Sequence, residues 1–466
     1  MLNTLNDVLN NVDNFIWGMP LIILILFTGI LLTVRLRGLQ IRHLGKALHY
    51  VFHNEDDGEG EVTSFGALCT ALSATIGTGN IVGCATAIVA GGPGALFWMW
   101  LAAFFGMATK YAEGMLAVKY RVIAEDGHTL GGPFYYIEKG MGKNFKWLAK
   151  LFCVFGTMVG LFGIGTFTQV NGITSAVNNF FDPSNVHTIS LFGMNYSISV
   201  VVAGIIVTIC AGLVIIGGIK RISKVSEVIV PFMAVTYIGV CLIIVFTHLP
   251  QVPAAFAEIV QSAFGLKAVA GGAIGAMTVA MQKGIARGIF SNEAGLGSAP
   301  IAAAAAQTNE PVRQGLVSMT GTFIDTIIVC TMTGLAIVMT GAWDMGLEGV
   351  AVTTKAFALG LPFPAKASAF VLMMCLVFFA FTTILGWAYY SERCLEYLVN
   401  GKKFVITAFK WFYILAVFIG PFMTVSAVWT IADIVNGLMA IPNLIALFLL
   451  SGKIVQLVKD YFSGNE

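Results

Sequence analysis

Long apolar stretches recur along this chain near residues 15–34, 65–89, 95–118, 151–173, 199–219, 228–247, 268–290, 316–340, 367–390, 404–423 and 425–450, eleven in all. A helix needs about 20 apolar residues to cross a bilayer. Inside that bilayer the backbone must satisfy its own hydrogen bonds. The pattern is incompatible with a soluble globule or a disordered chain, and it predicts an all-α polytopic membrane protein. Composition points the same way: 57% of the 466 residues are hydrophobic and 11% are charged, against about 25% charged in soluble domains. The first stretch does not read as a cleavable leader. Asp7 and Asp13 precede it where a basic segment would stand, and Arg35 and Arg37 follow as a stop.

The net charge of +2 is uninformative as a sum, and no basic run suggests nucleic acid. Its distribution says more. With the N-terminus outside, every lysine and arginine except Lys267, Lys355 and Lys366 falls in an inner loop or the inner part of a span. This predicts eleven spans in the inner (plasma) membrane, with the N-terminus out and the C-terminus in. Behind an extra first helix and inner loop (1–64) lie two blocks of five spans, 65–247 and 268–450, then a tail at 451–466. An odd number of spans per block inverts the second block relative to the first, a plan used by secondary transporters.

The eight cysteines are scattered without a CxxC pair and read as packing residues. The six histidines lie in loops or at segment ends. No metal site, nucleophile–base pair or cofactor motif is expected, which argues against an enzyme.

Transporters of this plan break the first helix of each half near the midplane and bind substrate and ion there. In the first half the run Ser73-Ala74-Thr75-Ile76-Gly77-Thr78-Gly79-Asn80 supplies two weakening glycines and several hard oxygens. The positive end of the following half-helix suits a carboxylate. The competing reading is packing, because Gly79 and Gly83 form a GxxxG pair. In the second half the corresponding run is Gly271-Gly272-Ala273-Ile274-Gly275-Ala276-Met277, up to Gln282, where lining a site and plain packing are both open. Thr382 and Thr383 in span nine could aim a hydroxyl at sodium or bond back to their own helix. Gln169, deep in span four, needs a partner that is either a zwitterion or another helix. Acids within spans default to functional hypotheses. Asp325 could hold a cation or pair with Arg287 or Lys283, and Asp433 is read the same way. Glu113 has Lys110 on the same helical face, which favours an ion pair.

Several motifs carry a resemblance: Ala74-Thr75-Ile76-Gly77-Thr78-Gly79-Asn80, Gly91-Gly92-Pro93-Gly94-Ala95, Gly106-Met107-Ala108-Thr109-Lys110-Tyr111-Ala112-Glu113 and Gly131-Gly132-Pro133. The longest is Phe290-Ser291-Asn292-Glu293-Ala294-Gly295-Leu296-Gly297-Ser298-Ala299-Pro300, and Ile431-Ala432-Asp433 with Ala440-Ile441-Pro442-Asn443 extends the match. With them the chain resembles the alanine or glycine:cation symporters over nearly its whole length. The resemblance implies a LeuT-like fold of two inverted five-helix repeats plus one extra N-terminal helix. It implies sodium-driven import of a small neutral amino acid by alternating access, without an obligatory protein partner. The carbonyls of Ser73, Ile76 and Phe379 and the hydroxyls of Thr382 and Thr383 would bind sodium. The Gly77, Thr78 and Gly79 amides would hold the substrate carboxylate beside Thr75, and Gln169, Met277 and Trp387 would shape the pocket. Where some members of the family carry a bulky aromatic on the broken helix of the second half, this chain has Ala273. That would enlarge the pocket and leave room for a larger neutral amino acid such as glutamine. A proton-coupled carrier using Asp325 or Asp433 is the other alternative.

Overall fold

The computed structural model describes residues 2–53, 58–124, 127–191, 194–266, 272–423 and 426–463. Lys267 and Gly271 lie outside them. Two short antiparallel hairpins, β1 (Val122–Ile123) with β2 (Thr129–Leu130) and β3 (Thr188–Leu191) with β4 (Met194–Ser197), interrupt an otherwise helical chain. The major helices of the N-terminal part are α1 (Leu2–Ile16), α2 (Met19–Arg35), α3 (Ser64–Thr75), α4 (Cys84–Gly91) and α5 (Gly94–Tyr120). They continue as α6 (Lys146–Phe162), α7 (Phe167–Phe181), α8 (Ile198–Ile215) and α9 (Gly218–Thr247). The C-terminal part holds α10 (Ala273–Asn292), α11 (Pro311–Thr322), α12 (Thr331–Thr340), α13 (Ala365–Leu398), α14 (Lys403–Ile419) and α15 (Ser426–Ser463).

Among the described residues, eight helical stretches are long and apolar enough to cross a membrane, or nine if α3 and α4 form one span bent by 52°. At 1.5 Å per residue, α5 with its 27 residues (about 40 Å) and α10 with its 20 (about 30 Å) also have the length. Both carry charges, Lys110 and Glu113 on one and Lys283 and Arg287 on the other. The outer surface is apolar: Phe404 is 86% exposed and Val235 71%. Water would penalise such a girdle, whereas lipid tails match it. The chain is a polytopic membrane protein.

One placement differs from the charge pattern. A Cβ built on Gly284 meets the Ala95 carbonyl, near the first turn of α5, whereas Arg121 just past its last turn bonds the Ala304 carbonyl at 3.0 Å. Lys283 and Arg287 therefore sit at the start of α5, beside Asp13 and Trp17 of the N-terminal segment and at the opposite end of α5 from Arg121. The break after Asn292 is the reason, because α10 ends there against the first break at Gly79, with Gly284 and Gly288 against the first turns of α5. At the other end, Arg121 also bonds the carbonyls of Ala306 and Thr308 and binds that of Glu59, clamping two loops together. Nearby, Arg393 pairs with Glu396 at 2.6 Å, His128 with Glu396 at 2.9 Å, and Lys410 with Glu392 at 3.2 Å.

Candidate functional site

The α3–α4 break falls at the expected glycines. Ile76 leaves helical geometry (φ −75°, ψ 95°), and the chain re-enters through a wide π-helical turn at Gly79–Gly83 before α4. Opening the ladder frees backbone groups, and buried backbone groups require partners. The Gly77 N–H donates to Asn80 Oδ1 at 2.9 Å, and the Thr78 N–H to Gln169 Oε1 at 3.3 Å. The Ile76 carbonyl accepts the Thr383 hydroxyl at 3.3 Å.

That hydroxyl also lies 3.0 Å from the Phe379 carbonyl. Thr382 donates to the Phe379 and Phe378 carbonyls at 3.0 and 3.1 Å. Four of the sequence-nominated oxygens, those of Ile76, Phe379, Thr382 and Thr383, thus share one buried cluster between α3 and α13. Ser73, one turn earlier on α3, donates its hydroxyl to the Thr70 carbonyl at 2.7 Å. Thr75 bonds back to Ala71 and Leu72. Gly77 is required by crowding: a Cβ there would meet Thr383 Oγ1 at 2.5 Å.

In the second half the break lies elsewhere than expected. From Ala273 to Asn292 the helix is continuous. Its first turns are partly exposed, and Ala273 packs against the preceding turn at Gly265. Neither Ala273 nor Met277 is brought to the first break. The chain opens instead at 292–298, where Glu293 (φ 57°), Gly295 (φ 88°) and Gly297 (φ 80°) are left-handed, before the short helix Ala299–Ala303. Gly295 and Gly297 adopt this conformation freely. Glu293 holds it at a cost of about 1–2 kcal/mol, while its carboxylate accepts Trp387 Nε1 at 3.0 Å and the Ser298 hydroxyl at 2.5 Å. Trp387 thereby joins α13 to the second break. The aromatic at this break is Phe290, whose ring lies against Gly79. Ala273 is not brought to either break.

The two breaks touch, since a Cβ on Gly79 would lie 3.3 Å from Ser291 Cα. They also share a pattern, Ser73-x-x-x-Gly77-x-Gly79 and Ser291-x-x-x-Gly295-x-Gly297, 218 residues apart, and Pro93 and Pro311 stand at the same separation. Asp325 joins them, accepting from Asn80 Nδ2 at 2.7 Å, the Ser291 hydroxyl at 2.9 Å and the Thr326 hydroxyl at 2.8 Å. Glu113 accepts from the Gly295 N–H at 3.1 Å and Asn443 Nδ2 at 2.6 Å. Lys110, itself buried, is within electrostatic reach of the carboxylates of Glu113, Glu293 and Asp325. Among the described residues it makes no direct ion pair with Glu113, unlike the expectation from their spacing. Asp433 accepts no bond within this centre and lies 3.7 Å from Arg287, five residues before the end of α10.

A third irregularity adjoins them. The chain leaves α6 at Gly163 and resumes at Phe167, with Gly165 pressed against Trp387. The Tyr413 hydroxyl ties the Gly165 and Ile384 carbonyls together, both at 2.8 Å. The arrangement gathers polar backbone, hydroxyls and a carboxamide where the two breaks meet, which suits reversible binding and release.

The model of the family described as "Sodium:alanine symporter family" matches residues 2–466. An uncharacterized transporter of Haemophilus influenzae is 56% identical over 461 residues, covering 98% of this chain and 96% of that protein. The sodium/alanine symporter AgcS of Methanococcus maripaludis is 46% identical, covering 98% of this chain and 97% of its own. The probable sodium/glutamine symporter GlnT of Bacillus subtilis is 38% identical, covering 99% and 91%.

Proposed function

The chain belongs to the sodium:alanine symporter family, and from that premise we propose that it imports a small neutral amino acid together with sodium by alternating access. It is a transporter of the plasma membrane and not an enzyme. The observation that carries the reading is the oxygen cluster at the first break, where the Thr383 hydroxyl lies between the Ile76 and Phe379 carbonyls. Sodium would replace that proton bridge and take the same oxygens with the Thr382 hydroxyl and the Ser73 carbonyl. The substrate carboxylate would take the amides of Gly77, Thr78 and Gly79, beside Thr75 and Gln169, with Trp387 and Phe290 closing the pocket. The printed names of AgcS and GlnT pair sodium with alanine and with glutamine respectively. Phe290 beside Gly79 favours the smaller substrate.

The architecture is proposed as LeuT-like: eleven spans, N-terminus outside, with 65–247 and 268–450 as inverted five-helix halves after the extra helix. The shared glycine pattern at the two breaks supports it. Coupling follows if sodium and substrate each bind better once the other has ordered the breaks. Proton coupling through Asp325 has less support, because three donors already occupy its carboxylate.

A thermal-shift screen of amino acids with sodium or potassium chloride tests the reading. A ligand at 100 times its Kd stabilises by about 2.7 kcal/mol, so alanine or glycine should raise the melting temperature in sodium and not in potassium. Equal stabilisation in both salts would count against it.

A further inference from the structure

The extra helix ends in an elbow that the transport cycle does not explain. After α2, Arg37 (φ 57°) and Gly38 (φ 65°) are both left-handed and turn the chain into two short helices, Leu39–Arg42 and Leu44–Phe52. Between this elbow and the end of α15 lies a cavity of about 480 Å³. Five cations line it, namely Arg35, Arg37, Arg42, Lys46 and Lys459, with no carboxylate among the lining residues. Arg35 donates to the Ser451 hydroxyl at 2.6 Å, and Lys46 lies over the Tyr461 and Phe462 rings. Among the described residues, Arg37, Arg42 and Lys459 have no acidic partner. His43, on the same wall, is held below its ordinary pKa by burial and by the cations of Arg42 and Lys46. Uncompensated positive charge in a crevice attracts anions.

The floor is apolar, formed by Leu36, Leu39, Val455, Val458 and Phe462. Beside the lining residues Arg35 and Arg42 stand exposed apolar side chains, Val34 70% and Ile41 67% exposed. A free anion would use the cations and leave this surface unmatched. A molecule with an anionic head and acyl tails uses both, and basic pockets beside membrane helices suit such heads. We propose that this cavity binds an anionic membrane phospholipid, its phosphate among Arg37, Arg42 and Lys459 and its chains along the Val34–Ile41 face. The lipid reinforces the junction of the extra helix and its elbow with the C-terminal helix, already made by the Arg35–Ser451 bond and by the Tyr50–Tyr461 hydroxyl contact at 3.1 Å.

Native mass spectrometry of the delipidated full-length protein, titrated with phosphatidylglycerol, phosphatidylcholine or inorganic phosphate, tests this independently of transport. Phosphatidylglycerol should bind at least tenfold more tightly than phosphatidylcholine. Each removed cation should weaken it about fivefold, from about 1 kcal/mol per charge near the surface. Arg37→Gln with Arg42→Gln should therefore cost about 25-fold, and Lys459→Gln, on the opposite wall, about fivefold. Lys402→Gln with Lys403→Gln, a basic pair elsewhere, should cost nothing. Melting temperatures in lipid-free detergent check that the variants fold, and if the double variant does not, Lys459→Gln decides. Equal binding of the two lipids, displacement of phosphatidylglycerol by millimolar inorganic phosphate, or unchanged binding in a folded variant would each overturn the proposal.

Discussion

Replacing Gly77 with alanine is the sharpest perturbation of the candidate site. Gly77 is not among the left-handed glycines, so an alanine there carries no backbone strain, and the whole effect is steric. The new Cβ would lie 2.5 Å from Thr383 Oγ1 and 3.3 Å from Gln169 Oε1, the first of these well inside ordinary contact. To make room, Thr383 must turn away from the Ile76 and Phe379 carbonyls, losing two hydrogen bonds of about 0.5–1.5 kcal/mol each. Residual overpacking adds about 1–3 kcal/mol. If sodium uses those same oxygens, a distortion of 1.4 kcal/mol already weakens binding about tenfold. Initial rates of radiolabelled alanine uptake into proteoliposomes, measured across external sodium concentrations, should show half-saturation rising at least tenfold. Gly83→Ala is the matched control, since a Cβ there meets nothing within 4 Å, and its sodium dependence should be unchanged. A Gly77→Ala protein with wild-type sodium half-saturation would refute the placement of the cation site.

Asp433→Asn, at a partly buried pair 3.7 Å from Arg287, should keep sodium-driven uptake. Asp325→Asn leaves buried donors poorly paired, at about 1–3 kcal/mol for each, and should lower the melting temperature. If both variants lose uptake with unchanged melting temperatures, proton coupling through the acids gains the argument. Phe290→Ala removes the ring lying against Gly79 and should let glutamine compete with labelled alanine at least tenfold better, while unchanged competition would remove Phe290 from the pocket. At the β3–β4 hairpin, the Val186 N–H first, then the His187 N–H and Ser197 hydroxyl, hold Asp182 below the ordinary carboxylate range. Because the folded pKa is the lower one, that contribution is complete above the unfolded value of about 3.9 and is lost as pH falls through the folded pKa. Protection of Val186 and His187 from hydrogen exchange, taken relative to the intrinsic rate at each pH, should accordingly hold from pH 8 to 5 and fall only below about pH 4.

Hydropathy made the helices legible because a bilayer forces long apolar runs, and the first break was legible because Gly77 and Gly79 interrupt such a run with polar neighbours. The second break was not. Gly271, Gly272 and Gly275 look equally disruptive, yet helix resumes at Ala273, while the opening lies in a polar run, 291–298, that hydropathy assigns to a loop. Its clue was the Ser-x-x-x-Gly-x-Gly pattern shared with the first break, which becomes meaningful only once the two segments are seen side by side. Lys283 and Arg287 misled for the same reason, since their depth depends on where α10 opens. Asp325 and Glu113 were visible as misplaced acids, but partners as distant in sequence as Asn80 and Asn443 are fixed by packing alone.

The central claim is that a sodium gradient drives a small neutral amino acid through these paired breaks. Proteoliposomes holding the purified protein, given radiolabelled alanine and an inward gradient of sodium, of potassium or of protons, test it most directly. The account predicts accumulation above the external concentration with sodium alone, abolished when sodium is equal on both sides. Equal accumulation under a potassium or proton gradient would contradict it.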